Sequence, residues 1–198
     1  MWKTVYTGIL TASLILFLLS CSTAYLSYPR NMFIGKELFK QKEYVKAGGY
    51  FQGALKDQRD AYSLTYLAII NYKMNNMDNA ERLIREAERI GVNDLCYLRT
   101  IGYKALILLN KDKKEGLEAL RYYIEQYKYL YPLMTIQDVE DIWKHGGTDM
   151  DRLEKLMEEQ ITWYEDEIEQ YKSTGTGFYE GIYGIELLHK GCGLNGYI

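Results

Sequence analysis

Proline is nearly absent from this chain, with two residues in 198. Proline removes a backbone donor and breaks helix interiors, so a chain with so few can run in long helices. Also missing is any run that alternates apolar and polar residues long enough to propose a sheet. Histidine is scarce: His145 and His189 are too few for most histidine-based metal sites. His189 and Cys192 sit three apart, but such a pair lacks the further ligands zinc requires and any group to orient a nucleophile. No glycine-rich phosphate loop follows a strand, because no convincing strand is in view. The formal charge is −3, and no basic stripe of the kind nucleic-acid binders carry is present. These absences point away from an enzyme, from metals and cofactors, and from nucleic acid as a partner.

What the chain does contain is a repeat. Gly35, Ala47, Phe51 and Ala54 recur as Ala68, Ala80, Ile84 and Ala87, each displaced by 33 residues. A small residue at 35 and at 47 lets two helix backbones approach across a turn near Lys42-Glu43, with Leu38 and Phe51 filling the space beside them. Ala54 falls on the same face as Ala47, where a following hairpin must sit. In the second block the turn is the cluster Asn75-Asn76-Met77-Asp78. A third block, DLCYLRTIGYKALILLNKDKKEGLEALRYYIEQY, keeps helix–turn–helix patterning with a polar turn at Asn110–Lys114. Its small residues, Gly102 and Gly116, are two positions further apart.

The first block, IGKELFKQKEYVKAGGYFQGAL, resembles the tetratricopeptide repeat (TPR), a helix–turn–helix of about 34 residues. Departures are Asn31 and Leu64 where that family favours Trp, Asn71 where it favours Tyr, and Arg59 and Val92 where it favours Pro. The resemblance implies an all-α, TPR-like helical-hairpin solenoid of about three repeats over residues 30–131. Stacked hairpins of this kind offer a concave surface to partners. It also implies that the first helix of each hairpin lines the groove. The groove residues would then be Met32, Lys36, Phe39 and Lys40 in block one, and Thr65, Ile69, Tyr72 and Lys73 in block two. Phe39 matches Tyr72 and Lys40 matches Lys73, so an aromatic beside a lysine would repeat along the groove. That composition suits an extended segment with apolar side chains and spaced carboxylates, or an acidic chain terminus. The other reading of Phe39 and Tyr72 is that they pack within their own hairpins.

Residues 1–20 read as an export signal. Lys3 precedes an apolar stretch from Val5 to Leu19, and Leu18-Leu19-Ser20-Cys21 is similar to the lipobox of bacterial lipoproteins. That resemblance implies cleavage before Cys21, a diacylglycerol on its thiol, and a short tether over residues 21–29. Several acyl chains, at about 0.8 kcal/mol per buried CH2, anchor a protein firmly. Ser22 in place of Asp resembles the outer-membrane sorting rule of two-membrane cells. Two other readings stay open: cleavage at Ser22-Thr23-Ala24 to release a secreted protein, and a transmembrane anchor running on through Leu26.

The third section, residues 132–198, reads as capping helices and a glycine-rich tail. Thr135 with Asp138, and Thr148 with Asp151, look like helix starts. The first of these helices is expected to end at Gly146-Gly147 and the second near Lys172. Met150, Leu153, Met157, Ile161, Tyr164, Ile168 and Tyr171 give the second an apolar seam. Its acidic face (Glu154, Glu158, Glu159, Glu165, Asp166, Glu167, Glu169) is read as the solvated back of a cap; the alternative is a docking face for a basic partner or a coiled-coil seam. Phe178–Lys190 is either a last helix or irregular. The five tyrosines between Arg121 and Leu133 either cover the seam to these helices or contact a partner or membrane. Cys96 and Cys192 either form a disulfide in an exporting compartment or are two separate buried thiols.

The combined expectation is a lipid-anchored protein–protein interaction scaffold of the bacterial cell envelope, on the outer membrane facing the periplasm, whose partners are other envelope proteins. The alternative is an envelope enzyme acting on cell wall, or a regulatory subunit of one. Replacing Cys21 with Ala should abolish acyl labelling and accumulate unprocessed precursor. Processing and membrane partitioning identical to wild type would rule out the lipid anchor.

Overall fold

A computed structural model of the chain describes residues 27–91, 96–130 and 135–175. Cys21, the export signal, Cys192, His189 and the glycine-rich tail lie outside the described residues. The described residues form eight helices and no strand. They are α1 (27–40), α2 (Tyr44–Asp57), α3 (Ala61–Lys73), α4 (Met77–Ile90), α5 (Tyr97–Leu109), α6 (Lys113–Leu130), α7 (Ile136–Lys144) and α8 (Met150–Thr174). Neighbouring helices pack in pairs, most extensively α3 with α4 and α5 with α6. The fold is all-α, as the scarcity of proline suggests. No helix among the described residues is long and apolar enough to cross a membrane.

The first two hairpins turn by the same backbone hydrogen bonds, displaced by 33 residues. In the first, Lys42 N–H donates to Phe39 C=O and Glu43 N–H to Leu38 C=O, both at 2.9 Å. In the second, Asn75 N–H donates to Tyr72 C=O at 2.9 Å and Asn76 N–H to Asn71 C=O at 2.8 Å. This pair of bonds ends a helix through one left-handed residue. Here that residue is Lys42 (φ 62°) and then Asn75 (φ 59°). The Asn71 side chain, standing where the tetratricopeptide pattern favours Tyr, ties the second turn down. It donates to Leu67 C=O at 2.8 Å and accepts from the Asn79 amide at 2.7 Å. The third hairpin turns differently. Lys111 and Asp112 N–H both donate to Leu108 C=O, and the Asp112 carboxylate caps α6 by accepting from Lys114 and Glu115 N–H.

Volume is traded between equivalent positions. Gly35 lies against the Phe51 ring so closely that a Cβ there would come 2.9 Å from it. One repeat on, Ala68 and Ile84 are both fully buried, a larger residue matched to a smaller partner. Helix α3 is buried nearly all round because it is sandwiched between the flanking hairpins. Its threonine is bonded: Thr65 Oγ1 donates to Ala61 C=O at 2.8 Å and lies 2.8 Å from Thr100 Oγ1 of α5.

Helices α7 and α8 close the described chain. The expected start at Thr135 is correct in place but not in chemistry. Thr135 is left-handed (φ 50°) and makes no capping bond; its hydroxyl accepts from Gln160 at 2.9 Å instead. At α8 the cap is Asp149 rather than Thr148, its carboxylate accepting from Arg152 N–H at 3.3 Å. Helix α7 ends at Lys144, followed by left-handed Gly146 and Gly147. The seam from Leu153 to Ile168 is buried, packed on α5 and α7. Tyr123 and Tyr127 of the tyrosine-rich segment are fully buried and stacked, and Tyr123 donates to Gln160 at 2.9 Å. They cover the seam between α6 and α8, whereas Tyr122 is exposed.

Two glycines separate packing from helix propensity. A Cβ at Gly116 would overlap the Leu109 backbone, which cannot move aside, while Gly49 has open space around it. Gly116→Ala should therefore lower unfolding free energy by about 1–3 kcal/mol or more. Gly49→Ala should raise it by about 0.5–1 kcal/mol. Urea denaturation followed by circular dichroism measures both.

Candidate functional site

Three helices that begin the three hairpins, α1, α3 and α5, each send a cation to the acidic side of α8. Lys36 of α1 pairs with Glu169 at 2.8 Å, Lys73 of α3 pairs with Glu154, and Arg99 of α5 holds Glu158 and Glu165. Tyr72 adds its hydroxyl to Glu154 at 3.1 Å. The acidic face of α8 is therefore only partly solvated. Its Glu154, Glu158 and Glu165 turn inward onto the hairpins, beside the apolar seam, and the half-exposed Glu169 reaches Lys36 at the edge, because the hairpins supply cations at matching heights. Glu159 and Asp166 stay exposed.

The centre of this contact is Arg99, 4% exposed, the one cation inside the otherwise apolar entry to α5. Its Nε and Nη2 donate to the two Glu165 oxygens at 2.7 and 2.9 Å, and Nη1 donates to Glu158 at 2.8 Å. Tyr103 donates to the other Glu158 oxygen at 2.7 Å. The Tyr66 ring lies 5.4 Å from the guanidinium and stacks on Phe51 on its other side, with ring centroids 4.6 Å apart. Burial opposes the Arg99 charge, but Glu165, Tyr66 and Glu158 together outweigh it and hold the guanidinium well above its usual range. At Glu158 burial is likewise outweighed, by Arg99 and Tyr103, and the carboxyl sits below its ordinary value. At Glu165 burial wins and pushes the carboxyl up against the pull of Arg99.

Between these helices is a cavity of about 400 Å3. Lys36, Lys40, Lys42 and Lys73 stand around one side of it, and Glu158, Glu165, Asp166 and Glu169 line the α8 side. Phe39, Tyr44, Tyr66 and Tyr103 supply aromatic wall. Of the residues expected to meet a partner, Lys36, Phe39, Lys40 and Lys73 are brought together here. Thr65 and Ile69 are not: both are fully buried, because α5 covers the face of α3 on which they lie. They cannot touch a partner while the fold is intact. Met32 is also buried, accepting from the Ser63 hydroxyl through its sulfur at 3.2 Å. Tyr72 is nearly buried and engaged with Glu154. Phe39 packs on Tyr44 and Tyr66, so it serves its own hairpin and the cavity wall at once.

Sequence reading missed Arg99, Tyr66 and Tyr103. The available signal was Arg99 itself, one of two charges in YLRTIGYKALILL and the one nearest its apolar start, which a buried helix could hold only against a carboxylate. No group of three or more His, Cys, Asp or Glu residues among those described is arranged to hold a metal ion. Cys96 is a buried thiol with no disulfide partner among the described residues, and burial pushes it up to about 12, so it remains protonated and unreactive.

Arg99→Met should cost about 3–5 kcal/mol, since Glu165 and Glu158 are left without the cation that pairs them. Arg99→Met with Glu165→Leu should recover a large part of that loss in a double-mutant cycle. Glu158 has a lowered folded-state value, so its stabilisation is complete above the ordinary Glu value of about 4.3 and is lost as pH falls through the folded value. Glu158→Gln should remove that acid-limb dependence from the urea midpoint while leaving the limb due to other carboxylates.

No known family model matches this chain, and neither a curated protein nor a solved structure is detectably similar to it.

Proposed function

We propose that this protein is a lipid-anchored, TPR-like interaction scaffold of the bacterial cell envelope. Residues 30–131 would form its repeat array and Cys21 its attachment to the outer membrane. The observation that carries the reading is the convergence of α1, α3 and α5 on one face, with Lys36, Phe39, Lys40 and Lys73 around a cavity there. Supporting it are the equivalent left-handed turns at Lys42 and Asn75 and the equivalent small residues of the first two hairpins. A partner would meet the exposed rim of that face, at Lys40 and the accessible edge of Phe39, rather than the interior, where α8 already lies.

The envelope-enzyme reading draws on Glu158 and Glu165, two cavity carboxylates displaced in opposite directions. Both Glu165 oxygens are bonded to Arg99, and those of Glu158 to Arg99 and Tyr103, so neither of these two carboxylates is free to act as a base. The scaffold reading is the stronger one.

A photo-crosslinking residue at position 40, activated in native membranes, should capture a discrete envelope protein. The same residue at position 128, on α6, should not capture it, and Phe39→Ala should diminish the yield. Capture that is the same from both positions would count against a partner at this rim.

A further inference from the structure

We infer that the cavity between the α1–α2 turn and α8 binds a small zwitterion, a free amino acid or a peptide of two or three residues with an apolar side chain. The inference goes beyond the scaffold reading and stands without it.

Charge pairing carries the first part. Nine charged residues line the cavity, and seven of them are paired: Lys36 with Glu169, Lys40 with Glu37, Lys73 with Glu154, and Arg99 with Glu158 and Glu165. The two left without an ion-pair partner among the described residues are Lys42 and Asp166, one cation and one anion. Lys42 sits on the turn between α1 and α2, in the left-handed conformation, and Asp166 sits on α8. Opposite sides of the same opening thus present one free positive and one free negative charge. A simple anion or a simple cation would meet one of them as a like charge, whereas a zwitterion satisfies both.

A tyrosine hydroxyl supplies an independent second observation. Tyr66 is 3% exposed and lines the cavity, and its hydroxyl makes no hydrogen bond among the described residues. Its ring is held on one side by Phe51, on the other by Arg99 and at its edge by Phe39, so it cannot swing out to find a partner. The hydroxyl oxygen keeps some accessible surface on the cavity side and so is open to a ligand. A peptide carbonyl or carboxylate oxygen in the cavity would accept from it. Tyr44, also on the wall, has a second hydroxyl without a hydrogen bond among the described residues.

Size and lining set the rest. A cavity of about 400 Å3 falls within the range of small-molecule sites, about 300–1,000 Å3. Its volume is about that of a single turn of helix, whose diameter with side chains is about 10 Å and pitch about 5.4 Å, so it is too small for a helical partner. The rings of Phe39, Tyr44 and Tyr103 give an apolar side chain a place between the two charged ends.

Isothermal titration of the full-length protein with Phe, Leu-Phe and Leu-Leu-Phe tests this, each beside its N-acetyl and C-amide forms. At least one free form should bind saturably at millimolar concentration or below, and the ranking of the three assigns the amino-acid or the peptide source. Blocking either end should weaken it about tenfold or more. Lys42→Ala should remove the penalty for the amide, and Asp166→Asn the penalty for the acetyl group. Both residues are exposed, so neither variant threatens folding. Tyr66→Phe should weaken binding several-fold. If none of the three free forms saturates, or if blocked forms bind as tightly as free ones, the inference is overturned. Penalties unchanged in Lys42→Ala and Asp166→Asn would overturn it as well.

Discussion

Removing a guanidinium from water costs several kcal/mol, and only a partner in good geometry, with its remaining donors also satisfied, offsets that cost. Arg99 meets this condition through Glu165, bonded at both oxygens, and Glu158, whose second oxygen is taken by Tyr103. The cluster constrains much else. It fixes the height at which α8 crosses α5, which sets Met157 and Ile161 against Gly102, where a methyl would already be crowded at 3.0–3.2 Å. With that crossing fixed, Glu154 reaches Lys73 and Glu169 reaches Lys36. Fixing α8 at its middle also leaves the opening between its later turns and the α1–α2 turn.

Local structure was legible because it is written in residues near one another. The small-residue pairs, the Asn75-Asn76 turn and the apolar seam of α8 all act over a few positions, and each appears where the pattern places it. The left-handed conformation of Lys42 was not legible, since lysine carries no preference for it; the equivalence with Asn75 was the only clue. The caps of α7 and α8 were misassigned because a threonine followed by a carboxylate scores as a cap wherever it falls. Thr135 was instead recruited by Gln160, 25 residues away.

The site was half legible. Lys36, Phe39, Lys40 and Lys73 follow from assigning a register to the first helix of each hairpin. Thr65 and Ile69 follow from the same register but fail, because the register does not say which hairpin faces are covered by the next hairpin. The acidic stripe of α8 was visible as a stripe, yet a row of carboxylates is solvated by default, and its cations lie far away in sequence. Arg99 is 66 residues from Glu165 and Lys36 is 133 from Glu169. Pairings across such distances depend on the tertiary path of the chain and leave no local trace.

Those long separations bear on how the molecule is assembled. Arrays in which each hairpin touches only its neighbours can form in sequence order, each unit completing the one before. Here the first hairpin acquires its Lys36–Glu169 contact only when α8 has been made. At about 5–20 residues per second of synthesis, Glu169 follows Lys36 by roughly 7–27 seconds. During that interval Lys36, Lys73 and Arg99 all await their carboxylates, and Arg99 awaits its burial. The nascent chain would therefore pass through a stage with three hairpins in place and a cationic face still wet, and α8, arriving late, would join them into one cooperative unit.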